Sequence, residues 1–217
     1  MAKPTTIMVF AKAPTPGEVK TRLIPALGAE GAAGLQRRMT RHTLETACAL
    51  SDATVELWCA PGIDDSFFAG CAADFPVALR LQQGQSLGER MLKGFRSALA
   101  QSELAILIGT DCPRLGPDTL RAARDVLAQD GRGVLVPALD GGYVLIGLNR
   151  VADRIFQDID WGTDQVLRQT RERFRDLRWK CGELPAMRDL DRPEDLREFP
   201  ELCESWKTYA HLAEINL

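Results

Sequence analysis

The chain has 217 residues, 45% hydrophobic and 26% charged, with a formal net charge of −3. That size and balance fit one globular domain with a substantial core and exclude a disordered chain. The mild negative charge carries no nucleic-acid footprint, and no apolar run approaches the roughly 18 residues of a membrane span. The apolar stretch near the N-terminus is too short for a signal peptide core, so a soluble, cytoplasmic protein is expected.

In chain order, residues 6–10 form an apolar run that predicts a first strand. A Pro/Gly-rich loop, Ala13-Pro14-Thr15-Pro16-Gly17-Glu18, follows, and helical spacing of apolar residues predicts a long helix over 29–50. Residues 54–59 predict a second strand, closed by Pro61-Gly62, then a short helix over 65–73 and a third strand over 77–82. An amphipathic helix is expected over 89–100, and a fourth strand over 104–108. The next helix is expected over 117–128, where Pro117 and Asp118 favour the start. Strands over 133–137 and 143–148, a helix over 165–174, a short strand over 178–180 and a last helical region from 193 complete the pattern. Strands alternating with helices predict an α/β fold, a three-layer α/β/α sandwich on a mainly parallel twisted sheet. No internal repeat or low-complexity linker interrupts it, so residues 1–217 read as one domain.

Six cysteines (48, 59, 71, 112, 181 and 203) form no C-x-x-C pair. With only His42 and His211 beside them, they give no zinc set and read as reduced, small core residues.

Four constellations carry candidate chemistry. The fourth strand is a continuous apolar run, as suits a strand buried on both faces, and it stops at Gly109-Thr110-Asp111-Cys112-Pro113. An acid at the C-terminal end of a parallel strand lies at the mouth of the ligand crevice and can hold a divalent cation; its alternative role is to cap the following helix. Directly after the first strand, Pro16-Gly17-Glu18-Val19-Lys20-Thr21-Arg22 offers a close backbone approach at Gly17 and two cations, Lys20 and Arg22, suited to phosphate. It is neither a Walker A loop nor a dinucleotide fingerprint. Gln83-Gly84-Gln85-Ser86-Leu87-Gly88-Glu89 could contact a base or ribose, although Ser86 and Glu89 also form a capping-box pattern. Asp140-Gly141-Gly142-Tyr143 is a hairpin signal whose tip could meet a second substrate. Further along, Asp189 and Asp191 fall on one face if extended. Either could share a metal with Asp111, or Asp191 could cap the helix near Pro193; Trp161 could contact substrate or simply pack.

With these residues in hand, the chain resembles the nucleotide-diphospho-sugar transferase superfamily, the GT-A fold. The likeness rests on Phe10-Ala11-Lys12 with the 16–23 loop, Gln83-Gly84 with Leu87-Gly88-Glu89-Arg90-Met91, the 108–113 segment, and Asp140-Gly141-Gly142-Tyr143. Within it the chain is most similar to a bacterial family of glycosyltransferases associated with radical-SAM/selenodomain proteins. Its Lys20-Thr21-Arg22-Leu23 element and the 189–196 tail are also similar to 2-phospho-L-lactate guanylyltransferase and molybdenum-cofactor guanylyltransferase. The resemblance implies nucleotide or phosphate contacts at Lys12, Gly17, Lys20, Thr21, Arg22, Gln83 and Gly84. It also implies Mg²⁺ or Mn²⁺ on Asp111 and Asp191, with Asp111, Asp140 and Lys20 carrying catalysis. A small-molecule acceptor would meet Asp140, Gly141, Gly142, Tyr143 and Trp161. One departure is that Asp111-Cys112-Pro113 stands where sugar transferases of this fold carry Asp-x-Asp, so a second metal ligand must come from elsewhere. The sugar nucleotidylyltransferase signature Gly-x-Gly-Thr-Arg is also absent. The implied activity is glycosyl transfer from a nucleotide-diphospho-sugar. The alternatives are nucleotidyl transfer to a phosphorylated small molecule, and nucleotide binding without turnover.

Overall fold

The computed structural model describes residues 3–129 and 131–199; Cys203 and His211 lie outside the described residues. Its centre is a seven-stranded sheet in the order β3-β2-β1-β4-β6-β5-β7. The strands are β1 (Thr5–Lys12), β2 (Ala53–Ala60), β3 (Val77–Leu81), β4 (Leu104–Ile108), β5 (Gly133–Pro137), β6 (Tyr143–Leu148) and β7 (Cys181–Glu183). Only β6 runs against the others: it pairs antiparallel with both β4 and β5, whereas β1 pairs parallel with β2 and β4. The expected fold class is therefore the observed one.

Alternation along the strands sorts side chains to two faces. Ile7, Val9 and Ala11 of β1 point to a core completed by α1 (Ile24–Cys48), α2 (Ser66–Asp74) and α4 (Pro117–Gln129) through Leu44, Phe68, Leu120 and Leu127. Met8 and Phe10 point the other way, onto α3 (Leu87–Leu99) and α5 (Val166–Asp176) through Met91, Phe95 and Phe174. Fully burying one such large apolar side chain contributes about 1.5–3 kcal/mol, so the two layers bind the helices firmly to the sheet. Glu56 is the buried acid on the second face, and accepts from Trp58 Nε1 at 2.9 Å and Arg80 Nε at 3.0 Å.

Helix α1 begins at Ile24, with Pro25 in its first turn, and is broken at Gly28, whose φ of 69° and ψ of 168° only glycine adopts readily. The uninterrupted helix after this kink matches the start expected at 29. The strand expected at 178–180 is displaced to Cys181–Glu183. Arg178 takes the left-handed conformation (φ 54°) that ends α5, and Trp179 N–H returns to the Phe174 carbonyl at 2.9 Å, so these residues belong to the helix terminus.

Order β2-β1-β4 puts a switch point between β1 and β4: the chain winds one way from β1 through β2 to β3, then crosses back to the other side of β1. The loops leaving the C-terminal ends of these two strands flank the crevice where such sheets bind ligands. A third apolar cluster (Leu23, Leu27, Leu35, Met39, Leu190, Leu196 and Phe199) fastens the C-terminal segment over that same end of the sheet.

Candidate active site

The loop after β1 and the loop after β4 meet. Lys20 Nζ lies 2.6 Å from Asp111 Oδ1 and donates to the Leu190 carbonyl at 2.5 Å, and its side chain is only 3% exposed. Asp111 stays 53% exposed. Lys20 itself is left-handed (φ 48°, ψ 39°), a conformation that costs a non-glycine residue about 1–2 kcal/mol.

A strip of chain from 187 to 191 crosses the C-terminal edge of the sheet. Met187 N–H bonds the Pro137 carbonyl at the end of β5, and Leu190 N–H bonds the Asp111 carbonyl at 2.7 Å. Asp191 reaches the loop after β1 and pairs with the Arg22 guanidinium. Leu190, wholly buried in the third cluster, pins the strip between its two flanking acids. Asp189 is thereby held among acids. Burial, then the charges of Asp140, Asp111 and Asp191, push its carboxyl from 3.8 up to about 6, against a backbone hydrogen bond that lowers it.

Supports behind Asp111 come from α1. Gln36, buried in the helix, donates to Thr110 Oγ1 at 3.0 Å and to Thr40 Oγ1 at 3.3 Å. His42 Nε2 lies 2.9 Å from the Pro113 carbonyl. Neither role is legible in the sequence, because on a helix face each residue reads as ordinary amphipathic spacing. Cys112 is buried against the Arg188 carbonyl, and burial pushes its thiol up to about 11. That makes it a core residue and no nucleophile at neutral pH.

Several expected roles change. Lys20 is a buried counter-ion to Asp111, with its ammonium already engaged, rather than a free phosphate ligand. Asp111 does not cap α4, since its carboxylate faces Lys20. Asp191 is not the cap near Pro193 either: Asp195 Oδ2 accepts from Arg192 N–H at 2.8 Å and from Asp191 N–H at 3.2 Å. Tyr143 turns inward. A bulge where Val136 pairs Leu145 but Pro137 pairs Tyr143 reverses the alternation of β6, and its hydroxyl is buried near Thr170, with burial raising its pKa. Trp161 packs on the second core and over Gly88, where an added Cβ would lie 2.7 Å from its indole nitrogen.

Gly141 (φ 93°) is pressed against the Asp164 backbone and accepts from Leu167 N–H at 2.8 Å, while Gly142 N–H donates to Asp140 Oδ1 at 2.9 Å. Of the acceptor-side candidates, Asp140 keeps an exposed carboxylate. In the third constellation Ser86 Oγ accepts from Glu89 N–H at 3.2 Å, so capping is what its hydroxyl does; Gln83 is left exposed, and Gly84 (φ 143°) leaves no room for a side chain against Glu89. Lys12, the last residue of β1, and Gly17, Thr21 and Arg22 after it are all exposed.

Among the described residues, no three His, Cys, Asp or Glu side chains are gathered to hold a metal ion. A hard cation here would have one or two carboxylates, those of Asp111 and Asp191, and would complete its shell with water and phosphate oxygens. No helix among the described residues is long and apolar enough to cross a membrane.

Residues 43–163, more than half of the chain, match the family described as uncharacterized protein conserved in bacteria (DUF2064). The chain belongs to that family. No curated protein matches the sequence. Among solved structures, a protein from Desulfovibrio desulfuricans G20 described as a "putative nucleotide-diphospho-sugar transferase" is 28% identical, with TM-score 0.80 over 93% of this chain and 97% of that one. A nucleotidyl transferase from Methanothermobacter thermautotroptrophicus is 16% identical, with TM-score 0.63 over 93% and 99%. Glucosyl-3-phosphoglycerate synthase from Mycobacterium tuberculosis, in complex with Mn²⁺, UDP and glucosyl-3-phosphoglycerate, is 9% identical, with TM-score 0.56 over 90% and 75%. The last two share the fold; the first two carry transferase names and the third is named a synthase.

Proposed function

We propose that the protein is a transferase that takes a sugar from a nucleotide-diphospho-sugar, with the diphosphate lying between the 12–22 loop and Asp111. The observation that carries this is the meeting, at the β1/β4 switch point, of a cationic loop with Asp111 and Asp191, each ion-paired to a cation of that loop. The 28% identical neighbour named for this chemistry supports the same reading.

Asp111 and Asp191 would hold Mg²⁺ or Mn²⁺, which when bound neutralises the charge of a diphosphate leaving group. Arg22, exposed and planar, forks onto phosphate oxygens, with Lys12 at the end of β1 as a second cation. Lys20 fixes one oxygen of Asp111 and leaves the other turned to solvent. Asp140, exposed at the hairpin tip, takes the proton of the acceptor hydroxyl as the new glycosidic bond forms. The sugar C1–O bond breaks, and its electron pair leaves with the nucleoside diphosphate.

Nucleotidyl transfer is the second reading. Pro113 stands where the second acid of Asp-x-Asp would be, and the nearest further carboxylates are those of the 189–191 strip. The protein incubated with nucleotide sugars or nucleoside triphosphates, plus Mn²⁺, separates the two. Release of nucleoside diphosphate supports glycosyl transfer, and release of pyrophosphate supports nucleotidyl transfer. Binding without products refutes both and leaves a nucleotide-binding protein without turnover.

A further inference from the structure

Two cations of the loop after β1 reach the 187–191 strip and differ in depth: Lys20, ion-paired to Asp111 in the loop after β4, donates to the Leu190 carbonyl, and Arg22 pairs with Asp191. Lys20 lies 170 residues from Leu190 in sequence, and Arg22 lies 169 from Asp191. The inner cation, Lys20, is 3% exposed, whereas the outer pair is open, Arg22 at 58% and Asp191 at 33%. An exposed pair of this kind is weak and screened by salt, so it opens readily. A buried ammonium without its carboxylate is expensive, so the inner pair resists.

We propose that Arg22 and Lys20 form a charge clasp that occupies the cation position of the carboxylate cluster and competes with a divalent ion for it. The inference rests on the reading of this site as a metal–polyphosphate site, and adds how that site is kept closed. In the free protein Arg22 neutralises Asp191 and holds the loop after β1 against the 187–191 strip. An incoming cation takes Asp191, and the guanidinium, released toward solvent, becomes available to phosphate oxygens. The left-handed Lys20, between Gly17 (φ 86°) and the 3-10 turn at Thr21–Leu23, is the strained point about which the released loop relaxes. The cluster therefore exchanges one set of cations for another, and polyphosphate and metal each favour the other's binding through Arg22.

Mn²⁺ alone, with no nucleotide present, is the probe. Its affinity is read by the paramagnetic resonance signal of free Mn²⁺ in titrations of the wild type, Arg22→Gln, Lys20→Met and a remote control, Arg121→Gln on α4. Arg22→Gln is expected to bind Mn²⁺ roughly two- to fivefold more tightly than the wild type, the size set by an exposed ion pair. Lys20→Met is expected to shift in the same direction, and Arg121→Gln not at all. Because Arg22 is exposed, its variant keeps the test open even if Lys20→Met fails to fold. In the wild type, Mn²⁺ should also speed amide exchange in residues 17–23 as the loop is released. Equal or weaker Mn²⁺ binding by Arg22→Gln, or an equal gain in Arg121→Gln, overturns the clasp while leaving the metal site standing. Mn²⁺ binding by none of the proteins overturns the metal reading itself.

Discussion

Asp189 sits where burial and three other acids oppose its ionisation, and replacing it with asparagine isolates that opposition. Its carboxyl is pushed from 3.8 up to about 6. The folded protein therefore holds this proton more tightly than the unfolded chain does. Well below pH 3.8 both states are protonated and the carboxylate costs nothing; the cost grows as pH rises from there and is complete above about 6, where the folded state too must ionise it. At full weight the displacement corresponds to about 3 kcal/mol, and screening of a partly exposed group reduces this to about 1–2 kcal/mol. Asp189→Asn keeps the shape and a carbonyl acceptor, so it should raise the melting temperature by about 3–6 °C at pH 7.5 and change it much less at pH 4. The assay is scanning calorimetry of both proteins from pH 4 to 8 without divalent ions. A variant that melts at or below the wild-type temperature throughout that range would show that the acids do not repel one another as placed.

Three further outcomes follow from the same geometry. Gln36→Leu strips Thr110 Oγ1 of its buried donor and should cost about 1–3 kcal/mol in urea unfolding, and an unchanged midpoint refutes the anchoring role. Gly141→Ala would place a Cβ 2.4 Å from the Asp164 carbonyl oxygen at a φ of 93°, and a loss of about 1–3 kcal/mol is expected; full stability would mean that the hairpin tip is not pressed on the loop before α5. Arg22→Ala should weaken calorimetric binding of a nucleoside diphosphate by about 1.5–3 kcal/mol and leave nucleoside binding alone, whereas an equal loss for both excludes phosphate contact.

Much of this architecture is legible in the residues, for a reason. Buried parallel strands such as 104–108 read as unbroken apolar runs, and Ser86 and Pro117 mark helix starts where the structure has them. β7 escaped because three residues, Cys-Gly-Glu, carry no apolar signature and become a strand only by pairing with β5. The site is harder to read. Asp111 and the cationic loop were identifiable from their places after strands. That Lys20 turns inward to Asp111, that Asp191 pairs with Arg22 and not with a helix end, and that a bulge rotates Tyr143 into the core are settled by contacts across the fold. No local pattern encodes them. Gln36 and His42 are the same case, with their function fixed by what α1 is packed against.

The most direct measurement is a crystal structure of the protein soaked with a nucleoside diphosphate and Mn²⁺, with the anomalous signal of the metal recorded. The expected result is a Mn²⁺ peak on the Asp111 carboxylate, with the phosphates between it and Arg22 at the end of β1. A nucleotide bound away from the β1/β4 switch point, or a metal that touches neither Asp111 nor Asp191, would contradict it.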